Sequence, residues 1–367
     1  MKAPHPIHEI APILRGLLAQ PTGNDDHPFR APLIRTMAGD QSNSQSLRIE
    51  LPGGEVTDET LRAHLSAAMA DYETRHHAKP ATVCLPGVGA FQSEHPGGDL
   101  PLAGKIALVT GAAGAIGYGI CQGLIANGAY LAITDLPGEK FENFVREFQQ
   151  LTPARVFGVP LDVTDPASVA GAFAQVIAQW GGVDLVVINA GIALAKPLVE
   201  IELEAFRRLE RVNVEGTLLV LAEAGRHFAR QNLGGDVVLI STKNVFAPGA
   251  GFGAYSATKA AAHQLARIAS LEFAPLRVRV NMVAPDAVFA GGTHKSGLWA
   301  EVGPGRMKAR GLDEKGLEEY YRSRNLLKAR VTAEHVAKAV LFFATRQTPT
   351  TGACLPVDGG LPDATPR

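Results

Sequence analysis

Tyr255 and Lys259 stand four residues apart in Ala254-Tyr255-Ser256-Ala257-Thr258-Lys259-Ala260-Ala261, so on a helix they share one face. A phenol with a reference pKa of about 10 is a poor base at neutral pH. An ammonium beside it favours the phenolate and lowers that value. The tyrosine can then accept the proton of an alcohol as hydride leaves the carbon, or donate it in the reverse direction. Thr242, thirteen residues earlier, offers a hydroxyl to hold the substrate oxygen, and Ser241 could serve if the loop shifts by one residue. Alone, Tyr-x-x-x-Lys is a common surface pair. The reading therefore depends on what else the chain places around it.

Lys105 to Gly128 reads as a buried strand, a glycine-rich turn and a helix. Ile106 to Val109 is a continuous apolar run, as expected of a parallel strand covered on both faces. Thr110-Gly111-Ala112-Ala113-Gly114-Ala115-Ile116-Gly117 has no side chain larger than a methyl between Thr110 and Ile116. Against the spacing G-x-x-x-G-x-G, Ala115 stands where the second glycine would fall; the fit is T-G-x-x-G-x-I-G. So bare a backbone can lie against a pyrophosphate, and the helix beyond aims its free N–H groups at the anion. A structural turn in any α/β protein is the alternative.

A second strand, Ala129 to Thr134, ends at Asp135, near the place where an acid holds the adenosine ribose hydroxyls. A carboxylate there repels a 2′-phosphate, and Ala113, Ala115 and Leu136 offer no base, so NAD is expected rather than NADP; the alternative is an acid at a helix start before Pro137. A third strand, Arg155 to Leu161, leads to Asp162-Val163, placed to meet the adenine. A fourth, Val183 to Ile188, leads to Asn189-Ala190-Gly191, whose small turn suits the ribose and nicotinamide while Asn189 ties neighbouring strands. Asn213, among apolar neighbours in a helix from about Glu200, must bond something: it could bend the helix and hold a water, or cap a break. A fifth strand, Val237 to Ile240, precedes Ser241-Thr242. The alternation of strand and helix predicts an α/β fold, a Rossmann-type doubly wound parallel sheet of about seven strands, with its site at the strand C-terminal ends.

The chain has 367 residues, 46% of them hydrophobic, with a formal charge of −1 and three cysteines far apart. That balance argues against nucleic acid or an anionic membrane as partner, and the cysteines fit a reducing cytoplasm without a disulfide framework or a zinc site. Polar residues and prolines interrupt residues 1 to 20, so no signal peptide or membrane span is read there. Residues 1 to 100 form an N-terminal extension: loop-like around Ala38 to Ser46, a helix at Asp58 to Tyr72 with Thr57 as cap, a strand at Thr82 to Leu85, and Pro96-Gly97-Gly98 as linker. Its histidines (His5, His8, His27, His64, His76, His77, His95) read as scattered surface residues, and no metal site is expected.

TGAAGAIG, Asp135, Asp162-Val163, Asn189-Ala190-Gly191, Asn213, Tyr255-x-x-x-Lys259, RVRVNMVAP and Val357-Asp358-Gly359-Gly360 together resemble the short-chain dehydrogenase/reductase family over residues 102 to 360. The resemblance implies a catalytic tetrad of Asn213, Thr242, Tyr255 and Lys259. Lys259 would also bind the nicotinamide ribose, and Asn213 a relay water. It implies cofactor contacts from Gly111, Gly114, Ile116, Gly117, Asp135, Asp162, Val163, Asn189, Ala190, Gly191, Tyr255, Lys259, Pro285 and Val288. It also implies a small-molecule substrate and a homo-oligomer, tetramer or dimer. Threonine replaces the usual serine at 242, and Pro285-Asp286-Ala287-Val288-Phe289 replaces the usual Pro-Gly turn, altering the nicotinamide contacts.

STKNV, FGAYSATKAA, SGLWAEV and PVDGGLPDATPR are similar to the dehydrogenase half of bifunctional rhamnulose-phosphate aldolase/lactaldehyde dehydrogenase-type proteins, and more distantly to sorbitol-6-phosphate dehydrogenases. Ile13 to Leu18 and Cys84 to Phe91 are faintly similar to pieces of that aldolase. This implies a shrunken remnant kept for packing or assembly.

The segment Ala290 to Asn325 reads as a substrate lid, with Gly291-Gly292, Gly297, Gly303 and Gly305 as hinges. Its His294, Lys295, Arg306, Lys308, Arg310, Arg322 and Arg324 could hold a phosphate or carboxylate; a solvated face balanced by Glu301, Asp313, Glu314, Glu318 and Glu319 is the reading favoured. Phe289, Trp299 and Tyr320 could line the pocket or be core. The expected activity is NAD-dependent interconversion of an alcohol and its carbonyl on a small sugar, polyol, sugar phosphate or hydroxyaldehyde. The rivals are a reductase for a bulkier, apolar compound and a non-catalytic nucleotide sensor.

Overall fold

The computed structural model describes residues 6–37, 46–53 and 56–364. Seven parallel strands form the main sheet: β5 (Ile106–Val109), β6 (Tyr130–Asp135), β7 (Val156–Pro160), β8 (Leu185–Ile188), β9 (Gly235–Ile240), β10 (Val278–Pro285) and β11 (Cys354–Val357). Their order is β11-β10-β9-β8-β5-β6-β7, reversing direction of winding between β5 and β8, where a doubly wound sheet opens its crevice. Ala107, Leu108 and Val109 pair in register with Leu131, Ala132 and Ile133 on one side and Leu185, Val186 and Val187 on the other. All four residues of β5 are buried, as the unbroken apolar run requires.

Helices α3 (Ala115–Ala126), α4 (Glu139–Leu151) and α11 (Ala333–Ala344) cover one face; α5 (Pro166–Trp180), α7 (Gly216–Gln231) and α8 (Gly253–Glu272) cover the other. Local chemistry sets their ends. Asp165 caps α5 through the Ala167 N–H with Pro166 at the first helical position, and Thr332 caps α11 through the His335 N–H. The helix expected from Glu200 is broken: α6 (Leu203–Glu210) passes into α7 through a π-helical turn at Arg211–Glu215 that contains Asn213.

The first hundred residues do not stand apart. They form α1 (Ile7–Leu18), β1 (Leu33–Met37), β2 (Ser46–Arg48), α2 (Asp58–His76), β3 (Thr82–Leu85) and β4 (Gly89–Glu94), the strands in a small sheet of order β1-β4-β3-β2. Thr57 caps α2 as the sequence suggests. The loop expected around Ala38 to Ser46 lies outside the described residues except Ser46, which opens β2. Helix α1, unread in the sequence because prolines interrupt it, packs on α5 and α7, and Ile10, Ile13, Leu14 and Leu33 join the same core as Val186 and Val237.

At the centre of that contact Arg15 is fully buried. It makes two hydrogen bonds to the Asp184 carboxylate (2.9 and 2.8 Å), one to Gln231 Oε1 (2.8 Å) and one from Nε to the Pro32 carbonyl (2.8 Å). Asp184 in turn accepts from the Ile106 N–H at the start of β5 (2.8 Å). Burial opposes ionisation of Asp184, but the Arg15 guanidinium, then the Lys105 ammonium and the Ile106 N–H, hold its carboxyl far below the usual carboxylate range. A Cβ on Gly182 would lie 2.0 Å from Gln231 Oε1, so the arrangement closes around the ion pair. The Pro96 to Gly98 stretch is thus a connection within one packed body.

Removing one partner of a buried pair strands the other charge. Arg15→Ala should destabilise the protein by roughly 3–5 kcal/mol, while the double replacement Arg15→Leu with Asp184→Leu should recover much of that loss. Chemical denaturation checks both, and equal losses in the single and double variants would show that the pair is not the source.

Candidate active site

At the carboxyl ends of β5, β6, β8, β9 and β10 a cleft of about 720 Å³ opens. Gly111 has φ +59°, and a Cβ there would come 2.6 Å from Ala190 Cα; a Cβ on Gly117 would meet the Ala112 carbonyl oxygen at 2.3 Å. A Cβ on Gly114 would meet only the Gly111 oxygen, at 3.8 Å, so that position faces the open cleft. Helix α3 begins at Gly114 with no capping side chain and no acid in its first turn, which leaves its positive end to an anion. The two strand ends are locked together. Thr110 Oγ accepts from the Asn189 and Ala190 N–H groups (3.0 and 3.1 Å), and Asn189 Nδ2 donates to the carbonyls of Thr110 and Gly111 (3.1 and 2.7 Å).

The Asp135 carboxylate sits at the end of β6, accepting from Ala113 N and Leu136 N, both at 2.8 Å. Lys140, Arg208 and Arg211 also line the cleft, bases that the sequence reading left out. Asp162 Oδ1 accepts from Thr164 N (2.9 Å) and Thr164 Oγ (2.8 Å), leaving its other oxygen to the cleft. Ile116, Val163, Gly191, Pro285 and Val288 also line the cleft.

Tyr255 and Lys259, one turn apart on α8, are both buried and line the same cleft beside Thr242. The Lys259 ammonium donates to the Ile240 carbonyl (2.8 Å) and lies beneath Gly191. Ser241 is turned aside, its hydroxyl 3.0 Å from His263 Nδ1, which leaves Thr242 as the hydroxyl beside the phenol. Asn213 uses its amide as a clamp. Oδ1 accepts from the Ile192 N–H (3.0 Å), and Nδ2 donates to the Ile192 carbonyl (2.9 Å) and to Thr258 Oγ (3.1 Å). Its backbone carbonyl accepts from Thr217 Oγ (2.7 Å). The π-helical turn thus positions the loop after β8, and both amide hydrogens are taken up by protein.

Burial dominates the electrostatics of the pair. Burial pushes the Tyr255 phenol up to about 12, with the Thr242 hydroxyl pulling the other way, and burial pushes the Lys259 ammonium down to about 8. Desolvation penalises the charged form of each group, and the ammonium is held on the Ile240 carbonyl.

The lid consists of a short hairpin pairing 290–291 with 294–295, then α9 (Gly297–Arg310) and α10 (Glu314–Arg324). Gly297, Gly303 and Gly305 lie inside α9 rather than at hinges. Val302, Leu298 and Trp299 pack with Phe252 and Tyr255 over the cleft. Phe289 stacks on Trp299 (4.6 Å). Tyr321, not Tyr320, lines the cleft, since Tyr320 turns out under Arg310. Several expected lid cations are paired at the surface: Lys295 with Glu314, Arg322 with Glu319. Lys243, Asn244, Phe252 and Tyr321 also line the cleft and went unread, because only the lid's return over the strand ends brings them together.

Residues 105–301 match the model of the short chain dehydrogenase family. An uncharacterized oxidoreductase of Bacillus subtilis is 36% identical over 265 residues, 72% of this chain and 38% of its own length, so the match spans less than half of that relative. The L-2,3-butanediol dehydrogenase of Corynebacterium glutamicum is 34% identical over 261 residues, 70% of this chain and 98% of its own. The crystal structure of sorbitol-6-phosphate 2-dehydrogenase from Erwinia amylovora superposes with a TM-score of 0.64 at 26% identity, over 69% of this chain and 98% of that one.

The buried ammonium has a measurable signature. With Lys259 at about 8 in the fold against 10.5 for the free side chain, the native state sheds its proton first as pH rises. The cost of burying the charge is therefore fully present below pH 8 and relieved between 8 and 10.5. Wild-type stability should rise relative to Lys259→Met across that window, read by denaturation at several pH values; a constant difference would mean that the ammonium is not desolvated.

Proposed function

Because the chain belongs to the short-chain dehydrogenase family, we propose that it is an NAD-dependent oxidoreductase interconverting a small polyhydroxylated alcohol and its carbonyl. The observation that carries this reading is that Thr242, Tyr255 and Lys259 share one cleft with the glycine turn and Asp135. The bare Gly111 to Gly117 cradle and the uncapped start of α3 fit a dinucleotide pyrophosphate. Asp135 would take the adenosine ribose hydroxyls and disfavour a 2′-phosphate, Asp162 and Val163 the adenine, and Ala190, Gly191 and Lys259 the nicotinamide ribose. Pro285 and Val288 would flank the ring.

When bound, the nicotinamide supplies the hydride acceptor and a positive charge near the phenol. Thr242 holds the alcohol oxygen by its hydroxyl. Tyr255 accepts the alcohol proton as the carbonyl forms, or returns it in the reverse direction. Lys259, fixed on the Ile240 carbonyl, keeps a cation behind that exchange, and Asn213 fixes the loop carrying Gly191. Trp299 and Val302 cover the reacting groups and exclude water. The polar lining around Asn244, Asp286 and Arg324, and relatives named for butanediol and sorbitol 6-phosphate, support a hydroxylated substrate. Exposed Leu203, Leu218, Ile268 and Leu271 on α6, α7 and α8 support self-association.

Tyr255→Phe should lower kcat at least about 100-fold while NAD still binds, since a proton-transfer group of this kind contributes that much. Asp135→Ser should raise the NADP-to-NAD preference about tenfold or more by removing the charge opposed to the 2′-phosphate. Both are read from NADH or NADPH absorbance with a panel of polyols, sugars and hydroxyaldehydes. Turnover of aryl alcohols alone would replace the substrate class. NAD binding with no turnover would favour a nucleotide sensor.

A further inference from the structure

The half of the cleft beyond Thr242 gathers Lys243 and Asn244 from the end of β9, Asp286 from the end of β10, Arg306 from α9, and Tyr321 and Arg324 from α10. One of the three cations is answered. Arg324 donates to both oxygens of Asp286 (2.7 Å each) and stacks over Tyr321 at 4.2 Å. Lys243 and Arg306 have no carboxylate within salt-bridge distance among the described residues. Lys243 is 7% exposed and its ammonium reaches only the Ala247 carbonyl (3.0 Å).

Arg306 makes two long hydrogen bonds, to the Ala250 carbonyl (3.3 Å) and the Tyr321 hydroxyl (3.4 Å), and its buried Nε has no partner among the described residues. Asn244 Oδ1 and Arg324 Nε are buried without partners as well. Burial, then repulsion from Arg324 and Arg306, pulls the Lys243 ammonium down against the attraction of Asp286. Glu301 is exposed at the cleft edge, and Asp363 adds a weaker attraction on Lys243 from outside hydrogen-bond reach.

Charges and donors left unanswered inside a fold cost stability unless something completes them. A solvated lid face, the balance the charge pattern suggests, accounts for Lys295 and Arg322 but not for these two groups. Arg306 lies over the Phe252 ring (4.8 Å), and that ring is 6.0 Å from the Tyr255 ring. The cation is thus set back from the phenol by one aromatic side chain, a span that a sugar-sized carbon chain covers.

We propose that Lys243 and Arg306 form an anion subsite, which holds a phosphate or carboxylate group at the far end of the substrate while its alcohol carbon lies at Tyr255 and Thr242. Arginine offers a planar fork to either anion and lysine a point charge. Asn244 and Arg324 border the group from the strand end and from the lid. The proposal rests on the dehydrogenase reading for the reacting carbon, but the anion binding itself does not.

Steady-state kinetics with three matched compounds, a neutral hexitol, its terminal phosphate ester and the corresponding sugar acid, test it on wild type and Arg306→Met. The ester or the acid should exceed the neutral hexitol in kcat/KM by about tenfold or more, as charged hydrogen bonds allow. Arg306→Met should erase that preference through KM, with kcat/KM for the neutral compound nearly unchanged. Whichever anionic compound leads identifies the group. Equal use of all three by wild type, or a preference that survives Arg306→Met and Lys243→Met, overturns the subsite and leaves the dehydrogenase reading intact. If no alcohol is oxidised, the dehydrogenase reading fails, and calorimetric titration with inorganic phosphate still decides: binding lost in Arg306→Met supports the subsite, and no binding to wild type overturns it.

Discussion

A side chain at Gly111 would strike the Ala190 backbone, and one at Gly117 would strike the Ala112 carbonyl. These two forbidden volumes hold the site together: the first lets the ends of β5 and β8 touch with no atoms between them, and the second lets the turn after β5 close onto the start of α3. Thr110 and Asn189 then fasten the contact with four hydrogen bonds, and Asn213 fastens the residue that follows Gly191 from the opposite helix. Lys259 lies under Gly191, so its ammonium inherits its position from the same contact. Displacing the strand ends would therefore move the nucleotide cradle and the proton-transfer groups together.

Much of this was legible because it is local. Ile106 to Val109 can only be a strand buried on both faces, the small residues after it can only turn tightly, and Tyr255 and Lys259 share a helical face by spacing alone. Asn213 signalled itself as a polar residue in an apolar helix, although its clamp on Ile192 required a partner that sequence does not name. Arg15 and Asp184 gave no signal, since their meaning depends on a contact across 169 residues. Lys243 likewise looked like one more charge after a strand, and Tyr320 and Tyr321 differ only in which way α10 turns them. Such assignments belong to packing, and packing is where pattern reading stops.

The protein carries its charged groups in two different ways. Beneath the sheet, Arg15 and Asp184 are buried as a matched pair with every strong donor answered, which makes them a fastener. Above it, Tyr255 and Lys259 are buried with their charged forms penalised. Burial penalises charge at the amino ends too, where it lowers the pKa of Lys105 and raises that of Asp236, but there the Arg15–Asp184 pair is answered by direct hydrogen bonds.

The fastener also orders events in time. Gln231, one of the partners of the buried arginine on α1, lies 216 residues further along the chain. At ordinary translation rates that interval is roughly 10 to 40 seconds. Throughout it, the part of the core that α7 supplies to Ile10, Ile13 and Leu14 is missing. Helix α1 can pack on α2 and the small sheet early, but its seat on α5 and α7 exists only after those helices have been made.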